Sequence, residues 1–152
     1  MKSDDRIARI FPDYCKRFGI PPKGAKEESI CVYRSCITNK LERESFLVTY
    51  EENGFKFDKE SDKDNPGTFS LSTFEKAKDV KRFSIAKEGI HPPYKIAVGH
   101  TNPKHGPVQR TKERVKRKTS HVDWWLYKDA RPYEEFELIE DFQKYLEELS
   151  KR

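Results

Sequence analysis

The chain has 152 residues, with 31 lysines and arginines against 26 aspartates and glutamates, and its formal net charge is +5 at pH 7. A chain of this length can bury about 70% of the surface that its unfolded state exposes, which is enough for one hydrophobic core. Aromatic residues make up 12% of the chain, a content that is not typical of intrinsically disordered proteins. We therefore expect a single folded domain over residues 1–152.

The N-terminal segment is predicted to form an amphipathic helix over residues 4–18. Its apolar side chains recur at spacings of three and four residues, and hydroxyl and acidic side chains that can cap a helix precede them. Pro12 has no amide hydrogen and is expected to break this helix. Gly19 and the two prolines that follow shortly after it are expected to end it.

The middle of the chain predicts an alternation of short elements. Residues 30–34 are rich in β-branched side chains and predict a strand, whereas residues 41–50 begin with helix-forming side chains and favour a helix. Residues 51–68 collect Asn, Gly, Asp and Pro, which predicts an exposed loop. A strand at 68–72 and a capped helix that continues to about residue 83 should follow.

The second half of the chain predicts two strands, at 94–98 and 121–127, with an exposed loop over 101–119 between them. Trp124 and Trp125 are adjacent in the second of these strands. Neighbouring side chains of an extended strand point to opposite faces of the sheet. One of the two rings is therefore expected in the core, and the other is expected at the surface.

The C-terminal segment is predicted to be a docked amphipathic helix, because its apolar residues follow helical spacing. Two alternatives remain for its beginning: residues 135–138 form a last strand, or the helix begins at Pro132, since proline is favoured in the first turn. Helices at both ends around about four strands predict an α+β domain with a small mixed or antiparallel sheet.

The cellular environment is indicated by what the sequence lacks. Its three cysteines include no CxxC pair and do not resemble a disulfide framework. The N-terminus lacks the apolar stretch of a signal peptide, and no segment approaches the roughly 20 apolar residues that cross a membrane. We expect a cytoplasmic protein with free thiols and no membrane association.

Charge is distributed unevenly along the chain. Residues 104–118 contain seven basic residues and one acid, whereas residues 132–152 contain seven acids and three basic residues. The seven basic residues are Lys104, Arg110, Lys112, Arg114, Lys116, Arg117 and Lys118. Such a cluster is either a binding surface or a charged loop that pairs with acids of the same chain or of another.

Binding of nucleic acid is the function that this pattern favours. Lys and Arg side chains gain affinity for a phosphate backbone largely by releasing its condensed counterions, and exposed aromatic rings stack on unpaired bases. Residues 104–118 would supply the cations, and Trp124 and Trp125 the rings. We predict a small binding domain for nucleic acid or another phosphate-rich ligand. The alternative is an accessory or interaction subunit whose basic loop contacts an acidic protein or a second copy of the chain.

The histidines were considered as metal ligands and as catalytic groups. His100 and His105 are five residues apart, and His121 with Asp123 adds two donors, but zinc needs three or four converging ligands, so we predict no metal site. His121 is also a candidate general base, since its ordinary pKa lies near neutrality. The sequence shows no nucleophile for it to serve, and the phosphate-loop, dinucleotide-binding, zinc-protease and serine-hydrolase motifs are absent.

Three short elements carry a resemblance to a known family. Tyr33-Arg34 on an early predicted strand, residues 69–73 in the middle, and Glu135-Phe-Glu137 near the end resemble the ordered Arg, Ser-Thr and Glu-x-Glu elements of ADP-ribosyltransferases. The resemblance implies an enzyme that uses NAD. Arg34 would hold its phosphates, Ser70 or Ser72 would brace the site, and Glu137 would contact the nicotinamide ribose. Whether the chain is an enzyme stays open, and no resident cofactor is predicted.

Overall fold

The computed structural model of the protein describes residues 8–38, 40–88 and 95–151. The first residues of the predicted N-terminal helix, the start of the strand predicted at 94, and His91 lie outside this part of the chain. Four α-helices are present in it: α1 (Asp13–Phe18), α2 (Thr49–Glu52), α3 (Ala77–Glu88) and α4 (Phe142–Ser150). The strands are β1 (Cys31–Ser35), β2 (Leu71–Phe74), β3 (Ile96–His100), β4 (Val108–Arg110), β5 (His121–Trp124) and β6 (Phe136–Leu138).

The strands form one antiparallel sheet in the order β4-β5-β2-β1-β3-β6. The α+β class is therefore confirmed, but the expected number of about four strands is too low for the described residues, which form six. One additional strand, β4, lies inside the loop predicted at 101–119. The last strand, β6, decides between the two C-terminal alternatives, and Pro132 begins a 3-10 turn rather than the helix.

Two helices are shorter than the sequence predicts, whereas α3 begins and ends later than expected. Within the described residues, α1 begins only after Pro12, and Gly19 ends it in the left-handed conformation at φ +67°. The helix predicted over 41–50 is replaced by a 3-10 turn at Arg43–Phe46 and by the single turn of α2. The longest helix of this part of the chain has twelve residues, and no helix there is long and apolar enough to cross a membrane.

Both faces of the sheet are covered. One face carries a core of strand side chains that includes Val32, Leu71, Val122 and Trp124. The opposite face carries Tyr33, Phe74 and Ile96, against which α3 and α4 pack. A third cluster, which contains Trp125, joins α1 to the turns that precede β2. Since alternate strand residues point to opposite faces, the burial of both faces explains why the adjacent residues Val32 and Tyr33 are both buried.

Candidate nucleic-acid interface

A cavity of about 600 Å³ lies on the sheet face that carries α3. The register pairs Ser72 with Asp123 and Phe74 with His121, so these four side chains of β2 and β5 stand on the same face and form the floor. Side chains of α3 and of the segment 111–119, which links β4 to β5, form the walls. Elements that are distant in the sequence thus meet at one concave site.

Asp123 is the buried polar centre of the floor. Its side chain is fully buried, and it accepts hydrogen bonds from Ser70 Oγ at 2.6 Å, from Thr111 Oγ1 at 2.7 Å and from Arg114 Nη2 at 2.9 Å. A buried carboxylate is tolerated when donors and a counter-charge surround it in this way. Asp123 therefore connects three parts of the chain. These are its own strand β5, the end of the 3-10 turn Pro66–Phe69 that precedes β2, and the segment after β4.

His121 is fixed beside this carboxylate. Its Nδ1 atom lies 2.5 Å from Thr111 Oγ1. A threonine hydroxyl has one hydrogen, and Asp123 receives it, so Thr111 can only accept from His121. Nδ1 of the neutral ring thus carries the proton, and Nε2 keeps its lone pair. The ring of His121 also lies edge-on to Phe74, at a centroid distance of 5.0 Å.

Burial lowers the pKa of His121 below its ordinary value, because the charged imidazolium loses contact with water. Asp123 opposes this effect, and the positive charges of Arg117 and Arg114 add to it. His121 is therefore neutral at pH 7. A neutral histidine with a defined tautomer is at once a hydrogen-bond acceptor and a potential base.

The walls of the cavity carry four basic side chains and one acid, Asp79 of α3. Arg82 from α3 and Arg117 and Lys118 from the segment after β4 are exposed and line the cavity. Within the described residues none of these three side chains forms an ion pair or a side-chain hydrogen bond. Their charges thus remain available to a ligand. Arg114 also lines the cavity, but it is already bound to Asp123, and it donates to Gln109 Oε1 at 2.6 Å.

Each wall of the cavity also carries an apolar side chain. Phe83 of α3 is half-buried beside Phe74, at a ring-centroid distance of 5.3 Å, and the exposed Val115 lies on the opposite loop. A planar ligand can contact such side chains while its charged groups reach the cations. The cavity therefore combines the two kinds of surface that nucleotides require.

The seven basic residues of segment 104–118 differ in their contacts: some bind carboxylates of the chain and others are exposed. Lys104 pairs with Glu135. Arg110 donates to Glu28 at 2.9 Å and to Glu75 at 3.1 Å, and these carboxylates raise its pKa. Lys112 and Lys116 are exposed outside the cavity lining. The basic segment is thus not one continuous surface, because part of its charge is used to hold the fold together.

The two tryptophans do not have the role that the sequence predicts for them. Trp124 and Trp125 are both 0% exposed, and their Nε1 atoms donate to the carbonyl oxygens of Gly106 and Pro66. The two rings lie in different clusters, but the ring of Trp125 is covered by the aromatic cluster around α1 and is not exposed to water. Stacking of a base on either ring is therefore excluded in this fold.

The elements that resemble ADP-ribosyltransferases are not brought to one site. Arg34 is buried and donates to the carbonyl oxygens of Ser45 at 3.0 Å and Ser72 at 3.1 Å. Its neighbour Tyr33 pairs with Val98, which pairs with Glu137, so Glu137 stands on the face opposite to Arg34. Arg34 connects strands and turns, and Glu137 is an exposed residue of an edge strand.

The histidines considered as metal ligands also lie apart. His100 is exposed at the end of β3, which β1 and β2 separate from the strand of His121. His105 is buried, and neither of its ring nitrogens has a hydrogen-bond partner within the described residues. In this part of the chain, no three His, Cys, Asp or Glu side chains form a group that could hold a metal ion.

Sequence reasoning missed Arg82 and Phe83, because both lie in a helix whose exposed face carries several other basic residues. Nothing in the residues themselves distinguishes the cation that reaches the cavity. Compared with protein-family models, with curated proteins and with solved structures, the chain matches none. The function must therefore be argued from the geometry of the cavity.

Proposed function

We propose that the protein binds single-stranded nucleic acid in this cavity, with backbone phosphates against Arg82, Arg117 and Lys118 and an unpaired base against Phe83 and Val115. The observation that carries the proposal is the convergence of three cations, from a helix and a separate loop, on one concave site, where they form no ion pair with the residues that the structure describes. Cations grouped in a concave site strengthen one another's field, and this increases the local concentration of a polyanion.

The size of the site favours an unpaired nucleotide. A volume of about 600 Å³ is within the range of cavities that enclose a small ligand. Proteins that read single strands insert bases that have left the helical stack, whereas the bases of a duplex stay stacked and expose mainly phosphates. The apolar side chains of Phe83 and Val115 contribute to affinity only when a base can leave the stack. We therefore expect single strands to bind more tightly than duplexes.

A comparison of two variants with equal charge tests the proposal. In the first, the cavity cations are reversed: Arg82→Glu, Arg117→Glu and Lys118→Glu. In the control, three exposed lysines outside the cavity lining are reversed: Lys23→Glu, Lys56→Glu and Lys128→Glu. Both variants change the net charge by the same amount, so a difference between them reports position and not total charge.

The measurement is fluorescence anisotropy of labelled single strands and duplexes, titrated with protein at about 50 and 200 mM salt. We expect the parent to bind single strands in a salt-sensitive way and the cavity variant to lose about 100-fold or more in affinity, whereas the control loses far less. Equal losses in both variants would show that binding follows overall charge alone. Absence of binding by the parent would contradict the proposal and direct attention to an acidic protein partner.

A further inference from the structure

The cavity holds a histidine whose two ring nitrogens are used differently. Nδ1 of His121 donates to Thr111, which in turn donates to the buried carboxylate of Asp123. Nε2 takes part in no hydrogen bond within the described residues. This arrangement fixes the tautomer and leaves one lone pair for a ligand in the cavity. Neither the binding of phosphates nor the folding of the floor requires that lone pair.

The charges around His121 favour its neutral form. Burial lowers the pKa of the ring most, and the charges of Arg117, Arg114 and, from the other face of the sheet, Arg34 lower it further, whereas Asp123 raises it. Asp79 and Arg82 of α3 face the same cavity with opposite charges. Together with burial, the three cations keep the ring unprotonated at neutral pH. A base must be unprotonated before it can accept a proton, so this environment suits general-base catalysis.

The nucleophile is the missing component. The hydroxyl hydrogens of Thr111 and Ser70 are both donated to Asp123, and no side chain of the described residues donates to Nε2 of His121. A ribonucleotide supplies its own nucleophile, because each ribose carries a 2′-hydroxyl group next to the phosphate that follows it. Deoxyribonucleotides lack this group. A histidine base without a protein nucleophile would therefore act on RNA and not on DNA.

We propose that the protein cleaves single-stranded RNA, with Nε2 of His121 as the general base. Nε2 takes the proton of a 2′-hydroxyl group, and the 2′-oxygen forms a bond to the adjacent phosphorus. The bond from phosphorus to the 5′-oxygen of the next nucleotide breaks, and that oxygen takes a proton from solvent. The products are a 2′,3′-cyclic phosphate and a free 5′-hydroxyl end, and His121 then releases its proton to solvent.

The cations that bind the phosphate also serve this step. Negative charge builds up on the phosphoryl oxygens as the 2′-oxygen attacks, and nearby fixed positive charges stabilise that charge. Arg117 and His121 line the same cavity, so this cation is available to a phosphate that lies next to the ring. Thr111 and Asp123 are positioning residues, because they act on the substrate only through the ring of His121.

The inference rests on the proposed binding function, and the experiment separates the two. Three oligonucleotides of one sequence are compared: RNA, DNA, and RNA with a 2′-O-methyl group at every ribose. All three should bind in the anisotropy measurement. Only unmodified RNA should be cut, and its fragments should carry 2′,3′-cyclic phosphate and 5′-hydroxyl ends by mass spectrometry.

His121→Gln and His121→Asn are the test variants, and His100→Gln, on the exposed end of β3, is the matched control. We expect the test variants to cleave at least about 100-fold more slowly, as is usual for the loss of a general base, and to retain binding. The control should keep full activity. Because the His121 pKa is lowered, the cleavage rate should decrease as the pH falls, and the midpoint of this decrease should lie below pH ~6.5.

Three outcomes would overturn the inference: binding of RNA without cleavage, equal cleavage by the His121 variants, or fragments with 5′-phosphate ends. Thr111→Val adds a test of positioning. It should slow cleavage and change the acidic limb of the pH profile while the affinity for the 2′-O-methyl strand stays the same. If no strand binds, the proposed function fails first, and the cleavage assay is then negative for a different reason.

Discussion

Segment 104–118 contains two groups of basic residues that differ in what surrounds them. Lys104, Arg110 and Arg114 each bind a carboxylate within the chain. Arg117 and Lys118, only a few residues further on, line a cavity without such partners in the described residues. A run of positive charge therefore has two uses: the cations of the first group hold elements of the fold together, and those of the second group remain for a ligand.

The largest expected effect comes from the centre of the paired group. Asp123→Ala removes the acceptor of Arg114, Ser70 and Thr111, and leaves Arg114 with a side-chain exposure of only 19% and no counter-charge from that strand. We expect the free energy of unfolding to decrease by about 3–5 kcal/mol. Urea denaturation measures it. The exposed Asp129→Ala should change the value by less than about 0.5 kcal/mol, and similar losses in both variants would contradict the role of Asp123.

A pair of single substitutions separates the two groups of cations directly. Arg110→Ala leaves Glu28 and Glu75 without their shared partner, and should lower the free energy of unfolding by about 1 kcal/mol with little effect on nucleic-acid affinity. Arg117→Ala should do the reverse, with stability almost unchanged and affinity about tenfold lower. Denaturation and anisotropy on the same samples give both values. The assignment is wrong if Arg110→Ala weakens binding more than Arg117→Ala.

The smallest expected effect is a dependence of stability on pH. Burial lowers the pKa values of His105 and His121, so the unfolded chain binds more protons than the folded chain once the pH falls below about 6.5. For His105, Glu135 opposes this effect and Lys104 adds to it. The free energy of unfolding should therefore decrease between about pH 7 and pH 5. A constant or increasing stability over this range would show that the two histidines are not kept neutral by burial.

Much of the fold follows from local patterns. Spacing and composition predicted the strands near Tyr33 and Val122 and the amphipathic α4, because each of these elements buries apolar side chains. The α+β class was inferred from these elements. The strand β4 was missed, since three residues inside a charged loop carry no such period. Its strand character comes from pairing with β5, which is a tertiary effect.

The site was less predictable than the fold. The sequence singled out His121 and the cations at 117 and 118, but it did not indicate Thr111 as the partner of His121, because that contact depends on how β4 is joined to β5. The error about Trp124 and Trp125 has a similar cause: alternation along a strand says which faces two rings occupy and does not say whether each face is covered. Sheet register and coverage are decided by elements that lie far apart in the chain.

The most direct test of nucleic-acid binding in the cavity is an NMR titration of the arginine side chains. The Nε–H signals of ¹⁵N-labelled protein, assigned through Arg82→Lys, Arg110→Lys and Arg117→Lys, are followed while a short single-stranded oligonucleotide is added. We expect the signals of Arg82 and Arg117 to shift together and saturate, while that of Arg110, held by its two carboxylates, stays in place. A shift of the Arg110 signal with no change in the signals of Arg82 and Arg117 would place the ligand outside the cavity. That result would contradict the proposed binding site.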